Sequence, residues 1–214
     1  MVNSVQSQQD GIVDRQNQTH IQPSLLFHHL FNRYTLNIFH DNRMSEEVLN
    51  SIHIQGTLGS TAQIGRTSAL EEAVSAHPDW ELLVQLDGDF TQAKTYEVMQ
   101  EYLSQRPGQD IDVVYCENDN EAFGAIQALE EAGYTCGETG VAIISFDATK
   151  NCLTACMEGK IALVVECNPL LGPLVEEIIQ TIESGGSPEK QHYIEEQQFT
   201  TDMLTEELIA QRQY

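Results

Sequence analysis

The chain has 214 residues, 33 of them acidic against 10 basic, for a net charge of −23, and 41% are hydrophobic. So negative a surface repels nucleic acid and anionic lipid, which excludes both as principal partners. Five cysteines, odd in number and without a Cys-x-x-Cys pair, argue against a disulfide framework or a zinc site.

The charge is unevenly spread. Residues 1–44 hold three acids (Asp10, Asp14, Asp41) and three bases (Arg15, Arg33, Arg43), so the whole excess falls from Ser45 onward. Gln and Asn dominate the first 22 positions, a composition expected to stay disordered. Leu25–Phe39 is more apolar and fits a short helix or a strand. Met1–Pro23 lacks the basic start, apolar core and small-residue cleavage site of a signal peptide. No stretch of the sequence is long and apolar enough to cross a membrane. His28, His29 and His40 have no fixed scaffold on which to bind a metal. Residues 1–44 are therefore read as an unrelated or disordered extension, and residues 45–214 as the folded part.

From Ser45 the pattern becomes regular. Ser45-Glu46-Glu47 is placed as the start of a short helical segment. Five apolar runs then read as buried strands: Ile52–Leu58, Leu82–Leu86, Ile111–Tyr115, Val141–Phe146 and Ile161–Val165. Helix-period segments separate them at about 62–76, 91–105, 119–132 and 149–158, with Ile64, Leu70, Ala73 and Val74 pointing inward from the first. Gly133 and Gly159 stand where left-handed caps belong. Pro169–Gly172 precedes a helix at about 173–184 with the stripe Val175, Ile178, Ile179 and Ile182. An extended run, Gln191–Phe199, and a helix at about 202–211 complete the chain. Strands alternating with helices predict an α/β fold, a Rossmann-like parallel sheet flanked by helices.

In such sheets ligands sit beyond the carboxyl ends of the strands. Here those exits carry Gln55, Asp87 and Asp89, Glu117-Asn118-Asp119, Asp147, and Glu166 with Asn168. Hydrogen-bonding groups with little basic charge suit a neutral, hydroxyl-rich ligand better than a phosphate. The turn Gly56-Thr57-Leu58-Gly59-Ser60 lacks both the dinucleotide fingerprint and the Lys-Ser/Thr ending of a P-loop. Arg66 offers planar, paired donors to neighbouring hydroxyls, set against a surface pairing with Glu71 or Glu72. Asp89-Phe90 joins a carboxylate to a ring on which a sugar face could stack, set against a helix cap beside a core Phe. Glu117-Asn118-Asp119 shows neither the oxygen spacing of a calcium loop nor a demonstrable acid/base pair, and no nucleophile context is present.

The blocks Ile54–Ser60 through Ile64-Gly65-Arg66, Gly88-Asp89-Phe90-Thr91, Asp112–Tyr115 with Asn118-Asp119, Ser145-Phe146-Asp147 and Glu166–Pro169 resemble the periplasmic sugar-binding proteins of ABC importers, especially the ribose/galactose group. The resemblance runs from about Ser51 to Tyr214. It implies one Rossmann-like lobe of a two-lobed protein that closes on a monosaccharide without catalysis and without a cofactor or metal. It further implies ABC permease partners and a periplasmic or extracellular location. By the same resemblance Arg66 is a sugar-binding arginine, Phe90 a stacking ring, and Asn118, Asp147 and Glu166 hydroxyl partners, with Asp89 and Phe146 as further candidates. Two positions depart from the pattern: Gly65 stands where relatives often have Asp, and Glu117 where His or Gln is common. The other lobe of the family has no counterpart in residues 1–44, so the chain is expected to be a C-terminal lobe with its crossover helix. Two rivals share the architecture. The effector domain of a LacI-type regulator would need a basic helix-turn-helix at the N-terminus, and a flavodoxin-like domain would need Asp87 and Asp89 to converge on Mg²⁺.

Overall fold

The computed structural model describes residues 48–137, 139–192 and 194–214. The readings of residues 1–44 and of Ser45–Glu47 fall outside these residues. Five parallel strands form in succession: β1 (Leu49–Gln55), β2 (Trp80–Asp87), β3 (Val113–Cys116), β4 (Ala142–Asp147) and β5 (Leu163–Glu166). Helices α1 (Thr61–Ala76), α2 (Gln92–Gln105), α3 (Asp119–Glu131) and α4 (Lys150–Met157) connect them. α5 (Gly172–Glu183) follows β5, and β6 (Gln198–Phe199), a 3₁₀ turn (Thr201–Met203) and α6 (Glu206–Gln211) close the chain. The sheet order is β2-β1-β3-β4-β5-β6, with β6 antiparallel to β5.

The period of two along the strands divides the core into two layers. Ile52, Ile54, Val114, Cys116 and Ile143 face α2, α3 and α4, where Met99, Leu103, Ala122, Leu129, Leu153 and Cys156 are buried. Val113, Tyr115, Ala142, Ile144 and Phe146 point the other way, onto Ala69, Leu70 and Ala73 of α1. Each fully buried aliphatic side chain removes enough apolar surface to contribute about 1.5–3 kcal/mol. Cys152 and Cys156 are ordinary core residues, and all five cysteines are free thiols.

Several boundaries differ from the sequence reading, each for a local reason. The first strand begins three residues earlier and stops at Gln55, because Gly56–Gly59 must turn the chain and Gly59 takes a left-handed φ of 85°. Ile64 is 47% exposed. The inward stripe of α1 is Gln63, Arg66, Ala69, Leu70 and Ala73, so two polar residues occupy the positions nearest the strand exits and Ile64 is rotated off the face. The extended run Gln191–Phe199 contracts to the two residues of β6. The last helix is divided, because Thr205 accepts a hydrogen bond from Leu208 N at 3.1 Å and starts a new helix after the 3₁₀ turn. None of the residues of α5 is buried among the described residues, and Val175, Ile179 and Ile182 are 49%, 48% and 57% exposed.

Candidate functional site

Because β1 to β5 are parallel, their carboxyl ends lie along one edge, where Gln55 is level with Asp87, and Asp147 with Glu166. The first turns of the following helices begin from this edge. Arg66 projects inward from the second turn of α1 and is 8% exposed. One guanidinium nitrogen, Nη1, donates to the backbone carbonyl of Glu117, and Nη2 donates to Asp147 Oδ1 at 2.9 Å. The guanidinium lies 5.0 Å from the centroid of the Phe146 ring. Arg66 thus pairs with Asp147 rather than with Glu71 or Glu72, and Phe146, 4% exposed, serves as its platform.

Asp147 is half-buried and held at φ 102°, followed by Ala148 at φ 63°. Such backbone strain in non-glycine residues persists only where the surroundings impose it. Asp119 supplies part of that constraint. Its carboxylate accepts from Ser145 Oγ at 2.6 Å, Thr149 N at 2.7 Å and Thr149 Oγ1 at 2.8 Å, fixing the loop on both sides of Asp147. Burial pushes the Asp147 carboxyl above its ordinary value, and Arg66 pulls it back.

Phe90 and Asp89 form a second strained pair, at φ 57° and 50°. Glu121 Oε1 accepts from Phe90 N at 2.9 Å, and Asn118 Nδ2 donates to Phe90 O at 3.2 Å. Asn118 is also the N-cap of α3, accepting from Glu121 N at 2.9 Å, while the Glu121 carboxylate accepts from Asn118 N in return. The α3 capping box therefore fixes the loop that carries Phe90. Burial raises the Glu121 carboxyl to about 8, against the opposing pull of the Phe90 and Asn118 N–H groups. Asp89 is exposed and accepts from Thr57 Oγ1 at 2.6 Å.

Glu166 follows a different arrangement. Its carboxylate, 6% exposed, pairs with Arg212 Nη1 at 2.8 Å and accepts from Gln197 N at 2.9 Å and from the Tyr214 hydroxyl. Arg212 Nη2 also donates to Ala148 O at 3.1 Å, so this cluster reaches the strained loop beside Asp147. The structure brings Arg66, Asp147 and Phe146 into direct contact, brings Asn118 and Phe90 into direct contact, and joins Glu166 to them through Arg212. Sequence reasoning did not single out His53, Thr67, Asp119 as a loop anchor, Glu121 or Arg212. The detectable signal was a polar residue inside an apolar strand run, as at His53, which is 0% exposed.

Among the described residues no group of three His, Cys, Asp or Glu side chains is placed to hold a metal ion, and no helix is long and apolar enough to cross a membrane. A groove of 680 Å³ between α2 and α3, rimmed by Glu97, Glu101 and Glu131, shares no lining residue with the strand-exit site.

The sequence matches the periplasmic binding protein domain family over residues 41–175. It is 32% identical over 161 residues to the galactofuranose-binding protein YtfQ of Escherichia coli K12, covering 74% of this chain and 50% of that protein. It is 33% identical over 114 residues to the ribose import binding protein RbsB of Salmonella typhimurium, covering 53% of this chain and 36% of that one. Among solved structures, the periplasmic binding protein component of the arabinose ABC transporter from Shewanella sp. ANA-3, bound to α- and β-L-arabinofuranose, superposes with a TM-score of 0.71 at 26% identity, over 82% of this chain and 55% of that one. The chain spans half or less of the length of these two curated relatives.

Proposed function

The chain belongs to the periplasmic binding protein domain family, and from that premise we propose that it binds a monosaccharide of galactose or ribose type as a solute-binding component of an ABC sugar importer. It acts by binding, without catalysis, outside the cytoplasmic membrane, and its protein partners are the permease subunits. The observation that carries this reading is the Arg66–Asp147 pair, an oriented donor beside a half-buried acceptor at the carboxyl edge of the sheet. Hydroxyl groups both donate and accept, so a neutral sugar satisfies both partners where an anion would satisfy only the arginine. The Phe90 ring offers the apolar face on which the C–H side of a sugar stacks. Asp147 and Arg66 contact the hydroxyls directly, Asn118 holds the Phe90 loop, and Glu166 with Arg212 sets the position of the Asp147 loop. Asp89, at the rim, is a further acceptor.

Millimolar affinity, about −4 kcal/mol, is the expectation for binding by this chain. Calorimetric titration of the full chain with D-galactose, D-ribose and L-arabinose tests the reading. Saturable binding to one of them, lost in Arg66→Ala with the fold intact, is the expected result. Absence of saturable binding to all three, or equal binding by Arg66→Ala, overturns it.

A further inference from the structure

Beneath Arg66 lies a fully buried acid whose partners come from β1, the β1–α1 turn and α1, the helix that carries the arginine. Glu117 and His53 are each 0% exposed. Glu117 Oε1 accepts from Thr67 Oγ1 at 2.6 Å and contacts His53 Nε2 at 3.0 Å, and Oε2 accepts from Gly56 N at 2.8 Å. Gln85 Nε2 lies 3.3 Å from His53 Nδ1. An imidazole that accepts from this amide at Nδ1 carries its proton on Nε2, where it donates to Glu117. One carboxylate thereby ties together β1, the β1–α1 turn, the second turn of α1 and the exit of β3. Thr67 is the neighbour of Arg66 in the chain, and the Glu117 carbonyl is an acceptor for the Arg66 guanidinium. A second connection runs through rings. His53 packs edge-on to Tyr115 at 5.3 Å, Tyr115 donates from its hydroxyl to the Arg66 carbonyl at 3.0 Å, and Tyr115 also packs edge-on to Phe146, the platform under the guanidinium.

We propose that His53 and Glu117 are positioning residues of the binding site, a buried bracket that fixes the guanidinium of Arg66 in its ligand-binding orientation. A buried carboxylate is costly unless each acceptor position is filled, and a stability role alone is met as well by an apolar pair of the same volume. Here the donors that fill it come from the backbone and side chains on either side of Arg66. The geometry therefore gives the polar pair a job an apolar pair could not do. The bracket sets where Arg66 points, and hence which sugar hydroxyls it reaches. Its importance for affinity rests on the proposed contact of Arg66 with the sugar. Its effect on Arg66 itself does not.

The test is nitrogen-15 NMR of the arginine guanidinium in the full chain, with the Arg66 signals identified by their loss in Arg66→Lys. A guanidinium held at both Nη atoms gives separate, slowly exchanging Nη resonances. These are expected in the parent chain and expected to merge into one averaged signal in Glu117→Gln, His53→Asn and Thr67→Val. Thr67→Val removes one donor while keeping the side-chain shape, and so serves where the buried substitutions fail to fold. Separate Arg66 resonances in every single variant that folds overturn the proposal. Sugar titration of the same samples supplies the second reading: each substitution that merges the Arg66 signals is expected to weaken binding. Failure of the parent chain to bind sugar counts against the proposed function alone, because the Arg66 signals still decide the bracket.

Discussion

The ring of Phe90 lies directly on the backbone of Gly56: a Cβ at Gly56 would stand 2.0 Å from Cε1 and Cζ of that ring. A glycine after β1 thus leaves room for the ring carried by the loop after β2. At Gly88 the crowding is different, because a Cβ would meet Thr95 Oγ1 at 2.5 Å, Ile54 Cγ2 at 2.6 Å and Glu121 Oε1 at 2.7 Å, all of them in buried residues.

These two environments predict a ranking. In Gly56→Ala the Phe90 ring can swing outward, at about 1 kcal/mol, the lower end of the cost of overpacking. In Gly88→Ala nothing can swing, and about 3 kcal/mol is expected. Urea unfolding of the two variants checks the order, and Gly56→Ala alone should also shift the Phe90 ring protons.

Arg212→Ala is expected to destabilise the chain by about 3 kcal/mol, because it leaves the Glu166 carboxylate buried without its cation. Replacing the exposed pair member Lys160, which stands 3.2 Å from Glu130, should change stability by less than about 1 kcal/mol. Chemical denaturation of the two alanine variants side by side distinguishes the buried pair from the surface one.

Glu121 makes stability depend on pH. The unfolded chain releases this proton near the ordinary value of 4.5, whereas the folded chain holds it to about 8. Between those values the folded state binds more protons, so the contribution of Glu121 is fully present below about 4.5 and is lost as pH rises towards 8. Glu121→Gln keeps an acceptor for Phe90 N and removes the titration. Its unfolding midpoint should therefore fall less than that of the parent chain over this pH range.

Substituting the exposed stripe of α5 should leave the fold unaffected. Val175, Ile179 and Ile182 bury little surface among the described residues, so Ile179→Lys and Ile182→Glu are each expected to change unfolding free energy by no more than about 0.5 kcal/mol. The same changes at Ile126 or Leu129, which lie in the core, should unfold the chain. Circular dichroism with urea titration separates the two cases.

The sequence alone determined the alternation of strand and helix, because burial of both sheet faces writes continuous apolar runs and amphipathic periods into any chain that folds this way. Resemblance to a family to which the chain belongs picked out Arg66, Phe90, Asn118, Asp147 and Glu166 as expected ligand partners, and each lies at or after the end of one of the strands β1 to β5. Apart from the Asn118–Glu121 capping box, the side-chain partners of those residues lie 28 to 81 positions away, as Phe90 is from Asn118 and Arg66 from Asp147, and no local period encodes such separations. Only the tertiary structure decided that Phe146 supports Arg66 and that Glu166 is taken up by Arg212. It alone also decided that Glu117, an exposed-type residue by composition, is sealed against His53 with both carboxylate oxygens hydrogen-bonded. The physical reason is that a buried polar group is tolerated only when its partners arrive together, and which groups arrive is set by the order and register of the strands.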